Sequence, residues 1–232
     1  MRLDSDGARH FPAALTPDDL TALDRLFAAH LPDARPGVRL GRLPALPPLI
    51  GAADAIARAA LGALAQPVRA VLFDKSPARN WALGWHQDRT IAVEFASPAG
   101  ATPRGHPPRF LEIPGYTGWT LKGGIPHVVP PFEILARMLT LRLHLDHVGD
   151  RNAPLLIAPG SHRLGRILEA DIAGIVAAHG SLACRAARGD IWAYAAPILH
   201  ASEAAAEPAR RRVLQLYYSA DPLADDLDWF GV

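Results

Sequence analysis

A chain of 232 residues, half of them apolar and a fifth charged, has the balance of a globular domain with room for an appended helical arm. Its 24 basic and 23 acidic side chains leave a formal net charge of +1, no electrostatic footprint for nucleic acid or an anionic membrane. The single cysteine, Cys184, excludes an internal disulfide and suits a reducing cytoplasm, and no apolar run reaches the roughly 18–20 residues that cross a bilayer.

The opening MRLDSDGARHFPAAL carries acids and no hydrophobic core region, so no secretory signal is expected there. The partners to expect are small molecules or a second copy, in a monomer or homodimer. Residues 16–31, TPDDLTALDRLFAAHL, have a helical period. Thr16 is placed to cap, Asp18 and Asp19 sit in the first turn, and Leu20, Leu23, Leu26 and Phe27 form one stripe. The proline-rich PDARPGVRLGRLPALPP reads as a connector. An alanine-rich helix is predicted over 51–64, ended by Pro67.

Beyond it the texture changes to short apolar runs between Pro/Gly loops: 68–74, 90–95, 138–148, 154–159, 190–195 and 211–220. Many short strands separated by turn signals predict an all-β sandwich or barrel. One helix, 166–178, interrupts them. The stretch 97–133 carries no strong strand signal, and loops of that length are functional or disordered. The whole reads as one domain over 1–232. It is mainly β with flanking helices: a helical layer over 1–66, and a jelly-roll core over 67–220 that carries the 97–133 insertion.

The chemistry centres on WHQD at 85–88. Side chains two apart on an extended segment share a face, so His86 and Asp88 can converge on one point. His200, closing the strand-like DIWAYAAPILH, supplies a third ligand. Two imidazoles and one carboxylate form the facial triad of non-heme Fe(II) oxygenases, which leaves positions for a bidentate 2-oxo acid and for O2. The far carboxylate of such an acid needs a fixed cation, and arginine's planar fork suits it. Arg210, Arg211 and Arg212 open the final strand. Arg211 is in phase with Val213, Gln215 and Tyr217, and Arg212 with Leu214, Leu216 and Tyr218; periodicity alone leaves open which face is the cavity. In LTLRLHLD (139–146) the leucines make one apolar face, and Thr140, Arg142 and His144 make a polar one that should line a wet pocket.

The set WHQD (85–88), RNAPLLIAPGSHRLG (151–165), GDIWAYAAPILHAS (189–202) and RRRVLQLYYS (210–219) resembles the phytanoyl-CoA dioxygenase family over roughly residues 65–220. The resemblance implies a double-stranded β-helix (cupin-like jelly roll) and Fe(II)/2-oxoglutarate hydroxylase activity with release of succinate and CO2. It implies His86, Asp88 and His200 as iron ligands and Arg211 as the 2-oxoglutarate anchor. Ser202 would contact the same carboxylate, and Gln87 would neighbour the cosubstrate. Halogenases of the family replace the carboxylate ligand with a small residue; this chain keeps Asp88. Two positions depart from the pattern. Ala153 stands where an Asn-Gly-Pro turn has glycine, and Arg142 stands where some members have an aromatic residue, which leaves open what it contacts.

Other residues read two ways. Lys75 is a strand-end surface lysine or a pocket cation. Trp119 and Lys122 belong to a lid or to an ordinary loop. His162 braces a loop, His106 and His127 are loop histidines, and Arg210 and Arg212 are solvated or surface-paired. Trp85, Trp192 and Tyr194 are core. Two other functions share these residues: a non-catalytic jelly-roll binding module, and a zinc hydrolase on a cupin-like fold, which gives Arg211 and Ser202 no role.

Overall fold

The alternation in Leu139–His144 is realised as a central strand whose leucine face is covered by helices and whose polar face turns inward. The computed structural model describes residues 1–30, 37–95, 112–224 and 226–232. In chain order the first seven strands are β1 (Ala8–Phe11), β2 (Gly37–Leu40), β3 (Gln66–Lys75), β4 (Leu83–His86), β5 (Ile91–Phe95), β6 (Thr117–Lys122) and β7 (Ile125–Val129). The other seven are β8 (Leu139–His144), β9 (Leu155–Ile157), β10 (Leu182–Cys184), β11 (Ile191–Ala195), β12 (His200–Ser202), β13 (Arg211–Ser219) and β14 (Leu227–Trp229). Helices are α1 (Leu3–Asp6), α2 (Pro17–His30), α3 (Gly51–Leu61), α4 (Phe132–Ala136) and α5 (Ile172–His179).

A six-stranded antiparallel sheet, β1-β11-β8-β13-β3-β2, faces a four-stranded one, β10-β9-β12-β4. Leu155 and Ile157 of β9 pack between them against Trp192 and Tyr194 of β11. A third sheet, β14-β5-β7-β6, extends the sandwich. This is the expected jelly roll with flanking helices.

The helical layer forms as its periodicity predicts. Thr16 Oγ1 accepts from the Asp19 amide at 3.1 Å, while the Asp19 carboxylate accepts from the Thr16 amide at 2.9 Å, a reciprocal cap. Leu23, Leu26 and Phe27 of α2, with Ala53 and Ala57 of α3, bury against Leu141, Leu143, Leu214 and Leu216. That packing closes the outer face of the main sheet and leaves its inner face for the site.

Several boundaries differ from expectation. The 1–66 stretch is not purely helical: β1 and β2 add edge strands to the main sheet, and β2 lies within the proline-rich connector. Helix α3 stops at Leu61, short of the expected residue 64, because Gly62 turns the chain at φ +97°. Residues 166–168 are not helical; a 3-10 turn at Glu169–Asp171 precedes α5. Of 97–133, residues 97–111 lie outside the described residues, and the remainder holds the β6–β7 hairpin, not a strandless loop. Among the described residues no helix is long and apolar enough to cross a membrane.

Candidate metal centre

His86 ends β4, and Asp88 follows two residues later. His200 does not end a strand: the chain turns at Pro197, where the Ile198 amide donates to the Ala195 carbonyl at 3.0 Å, and His200 opens β12. That restart places His200 directly opposite His86 in the β12–β4 pair. One donor atom from each of His86, Asp88 and His200 lies within 4.8 Å of the other two. The imidazole centroids are 4.3 Å apart.

Each imidazole is held by its own strand. Nδ1 of His86 lies 2.8 Å from the Gly84 carbonyl, and Nδ1 of His200 lies 3.0 Å from the Ile198 carbonyl. A carbonyl accepts only, so both Nδ1 atoms carry a proton, and Nε2 is the nitrogen that each imidazole has free for a metal. Asp88 Oδ2 is buried with no partner among the described residues. Burial, only partly countered by Asp88, pushes the His200 pKa down to about 4, so its imidazole is neutral and ready to ligate. Two free ring nitrogens and an unsatisfied carboxylate aimed at one point are what a divalent cation requires.

The triad opens into a cavity of about 220 Å³ whose opposite wall is the inner face of the main sheet, including Arg142, Arg211, Gln215 and Tyr217. This settles which face of β13 is the cavity face. Arg212 points outward, bridging Asp146 at 2.7 Å and Asp24 at 2.7 Å, and Arg210 pairs with Asp74 at 3.2 Å. Arg211 is 4 % exposed; its guanidinium donates to the Ala153 carbonyl and reaches Ser202 Oγ at 3.4 Å. Burial, with Arg142 nearby, lowers its pKa to about 9.

Lys75, opposite Arg211 on β3, is buried and not a surface lysine. Its ammonium donates to Ser202 Oγ at 3.0 Å and to the Glu203 carbonyl at 2.7 Å. Burial, then the Arg211 and Arg142 charges, lowers its pKa to about 7. Arg142 donates to Gln215 Oε1 at 2.5 Å, and its Nε has no partner.

Other predicted residues fall elsewhere. Gln87 does not face the triad cavity. Its amide nitrogen donates to the Pro197 and Gly165 carbonyls at 2.7 and 3.0 Å, and its oxygen accepts from the Ile167 amide at 2.9 Å. Both amide hydrogens and the oxygen thus brace the turn before His200 against the loop at Gly165 and Ile167. Thr140 and His144 share the inward face with Arg142 and are buried, yet neither lines the cavity. Thr140 sits between its cross-strand partners Tyr194 and Tyr217, and His144 lies opposite Val213. Trp119 packs on Phe95, ring centroids 5.4 Å apart, away from the site. His127 is no loop histidine: it lies on β7, fully buried, with Nδ1 on the Ile125 carbonyl at 2.9 Å. His106 lies outside the described residues.

Beside the triad is a second space of about 440 Å³, walled by His86, Asp88, Trp85, Arg39, Arg69 and Lys122 among others. Trp85 is thus half-buried at a cavity wall, not interior core. Lys122 donates to Thr90 Oγ1 at 2.7 Å. Arg39 and Arg69 were not foreseen. A signal existed for Arg69, which is two-residue-periodic with Phe73 on the cavity face of β3.

No protein-family model matches the chain, and no curated protein does. Solved structures match over nearly its whole length. EctD from S. alaskensis with bound Fe superposes with a TM-score of 0.64 at 21 % identity, covering 99 % of this chain and 78 % of EctD. The fold is shared. EctD with 2-oxoglutarate and 5-hydroxyectoine gives 0.61 at 20 %, covering 99 % and 77 %. The non-heme alpha ketoglutarate dependent epimerase SnoN from nogalamycin biosynthesis gives 0.63 at 15 %, covering 94 % and 78 %. HygX from Streptomyces hygroscopicus, with nickel and 2-oxoglutarate bound, gives 0.57 at 13 %, covering 94 % and 84 %.

Proposed function

We propose that this protein is an Fe(II)- and 2-oxoglutarate-dependent dioxygenase that hydroxylates a small molecule with O2, releasing succinate and CO2. The observation that carries this reading is the convergence of His86, Asp88 and His200 within 4.8 Å, opposite a buried arginine across the same cavity. EctD and HygX, on the same fold, hold Fe or nickel and 2-oxoglutarate.

The residues fit both groups. The triad offers two imidazole Nε2 nitrogens and one carboxylate, and Asp88 Oδ2 has no other partner among the described residues. Facing it, Arg211, Lys75 and Arg142 gather cationic charge that a dianionic 2-oxo acid offsets. Arg211 and Ser202 receive the far carboxylate, with Lys75 holding the Ser202 hydroxyl in place. Arg142 Nε, on the cavity wall, is buried without a partner among the described residues, as expected of a wall that faces a polar occupant or ordered water. Iron with the bound cosubstrate supplies the oxidising power to turn a C–H bond into C–OH. The chain's own part is to fix the ligand tautomers, orient the cosubstrate and exclude water.

Within these oxygenases the motifs favour a phytanoyl-CoA dioxygenase-like member. The Ala153 turn adopts the left-handed conformation (φ +48°) that glycine serves in the family. A cytoplasmic enzyme acting on small molecules, with no nucleic-acid or membrane partner, fits the near-neutral charge and the single buried thiol. The test is succinate release from 2-oxoglutarate under air by the Fe(II)-loaded protein, alone and with a metabolite library. Asp88→Ala should abolish release while circular dichroism stays unchanged. Full release by the variant would reject the assignment. Hydrolytic turnover indifferent to 2-oxoglutarate would select a zinc hydrolase, and binding with no succinate from any pool a binding module.

A further inference from the structure

The 440 Å³ space beside the triad shares Arg39 and Arg69 with the 220 Å³ cavity and adds Lys122, a cationic wall that extends beyond the proposed cosubstrate anchor. Arg39 comes from β2, Arg69 from β3 and Lys122 from β6, three strands that meet at this wall. Among the described residues none of the three is ion-paired with a carboxylate. Arg39 Nε and Arg69 Nε are buried without hydrogen-bond partners there, although buried guanidinium donors are normally satisfied. The Arg69 guanidinium lies 4.3 Å over the Tyr217 ring, which fixes its plane while leaving its edge free to donate. The two carboxylates on this wall are Asp88, committed to the triad, and Glu169.

Arg39, Arg69 and Lys122 repel one another, and Arg89 on the same wall adds to a positive charge that Asp88 only partly offsets. Burial and then the neighbouring Arg69 lower the Arg39 pKa, and burial, Arg69 and Arg39 lower that of Lys122. An anion entering between them relieves the repulsion and satisfies the vacant N–H groups together. Arg211, the proposed cosubstrate anchor, does not line this space.

The geometry points to a substrate that carries an oxyanion, a phosphate, sulfate or carboxylate group, held by Arg39, Arg69 and Lys122 while its reacting carbon lies at the His86–Asp88 end of the same cavity. The reaction part rests on the oxygenase reading; the anion site does not.

Isothermal titration of the Fe(II)- and 2-oxoglutarate-loaded protein, held anaerobic, with inorganic phosphate, sulfate and acetate at matched ionic strength tests this. Saturable binding of at least one is expected, and the tightest identifies the group. Arg69→Met and Lys122→Met should each weaken it at least tenfold, whereas Arg210→Met, whose side chain pairs with Asp74 and lines neither space, should leave it within twofold. Binding no stronger than that of chloride, or equal binding to wild type and the double variant Arg69→Met/Lys122→Met, would overturn the proposal. So would an anion that displaces bound 2-oxoglutarate, which would put it at the cosubstrate end. Phosphate binding by a protein that makes no succinate would support the site and count against the oxygenase; succinate release without anion binding would do the reverse.

Discussion

Replacing Arg211 with methionine should stabilise the metal-free, cosubstrate-free protein while nearly abolishing 2-oxoglutarate binding. The guanidinium is almost fully buried beside Arg142 and opposite Lys75, with no carboxylate paired to it among the described residues. A pKa lowered from 12.5 to about 9 corresponds to a penalty on the order of 5 kcal/mol for keeping the charge buried. Methionine removes that penalty but leaves the Ala153 carbonyl without its donor, at a cost of about 1–3 kcal/mol. A net gain of roughly 2 kcal/mol remains, raising Tm by about 4–8 °C in a chain of this size. The cosubstrate loses two charge-assisted hydrogen bonds, each contributing about 1.5–3 kcal/mol, so its Kd should rise at least ~100-fold. Thermal melts with and without Fe(II) and 2-oxoglutarate read both effects: the variant melts higher when empty, and 2-oxoglutarate no longer raises its Tm. A variant that melts lower when empty yet binds 2-oxoglutarate as wild type does would refute the reasoning and make Arg211 a structural residue.

Three further outcomes follow. Gln87→Leu strands two carbonyls and one amide, and should cost about 2–4 kcal/mol in denaturant unfolding with little change in 2-oxoglutarate Kd; a selective loss of cosubstrate affinity would return Gln87 to the cavity. Ala153→Gly relieves left-handed backbone at φ +48° worth about 1 kcal/mol, partly offset by the added freedom of the unfolded chain, so the denaturation midpoint should rise slightly; a fall would contradict this. Lys75, with a pKa near 7 when folded against 10.5 when unfolded, is deprotonated first in the native state. The unfolded chain then holds the extra proton between pH 7 and 10.5, so Lys75 adds a rise in stability of about 1.4 kcal/mol per pH unit there. Below pH 7 its burial penalty is fully present. Lys75→Met should flatten that rise when denaturation is followed from pH 7 to 9, and parallel profiles for the two proteins would exclude it.

Much of the fold was legible because buried strands alternate. The leucines of β8 and the phase of β13 gave both faces of the main sheet, although only packing could say that Arg211 points inward and Arg212 outward. The β6–β7 hairpin was missed despite its signal. Gly123 and Gly124, at φ +65° and +79°, make the two-residue turn that pairs Lys122 with Ile125. Edge strands β1 and β2 had no such signal, since four residues beside prolines and charges show too little periodicity. At the site, residue identity located the triad, but a motif does not carry side-chain direction. Gln87, expected beside the cosubstrate, spends its hydrogen bonds elsewhere. Arg39 and Arg69 come from strands outside every motif, brought to the wall by sheet order alone.

The most direct measurement is a crystal structure of the protein loaded anaerobically with Fe(II) and 2-oxoglutarate, with anomalous data collected at the iron edge. One anomalous peak is expected, bound by Nε2 of His86, Nε2 of His200 and an Asp88 oxygen, with the far carboxylate of 2-oxoglutarate on Arg211 and Ser202. Iron held by other residues, or a cosubstrate carboxylate that avoids Arg211, would contradict that arrangement.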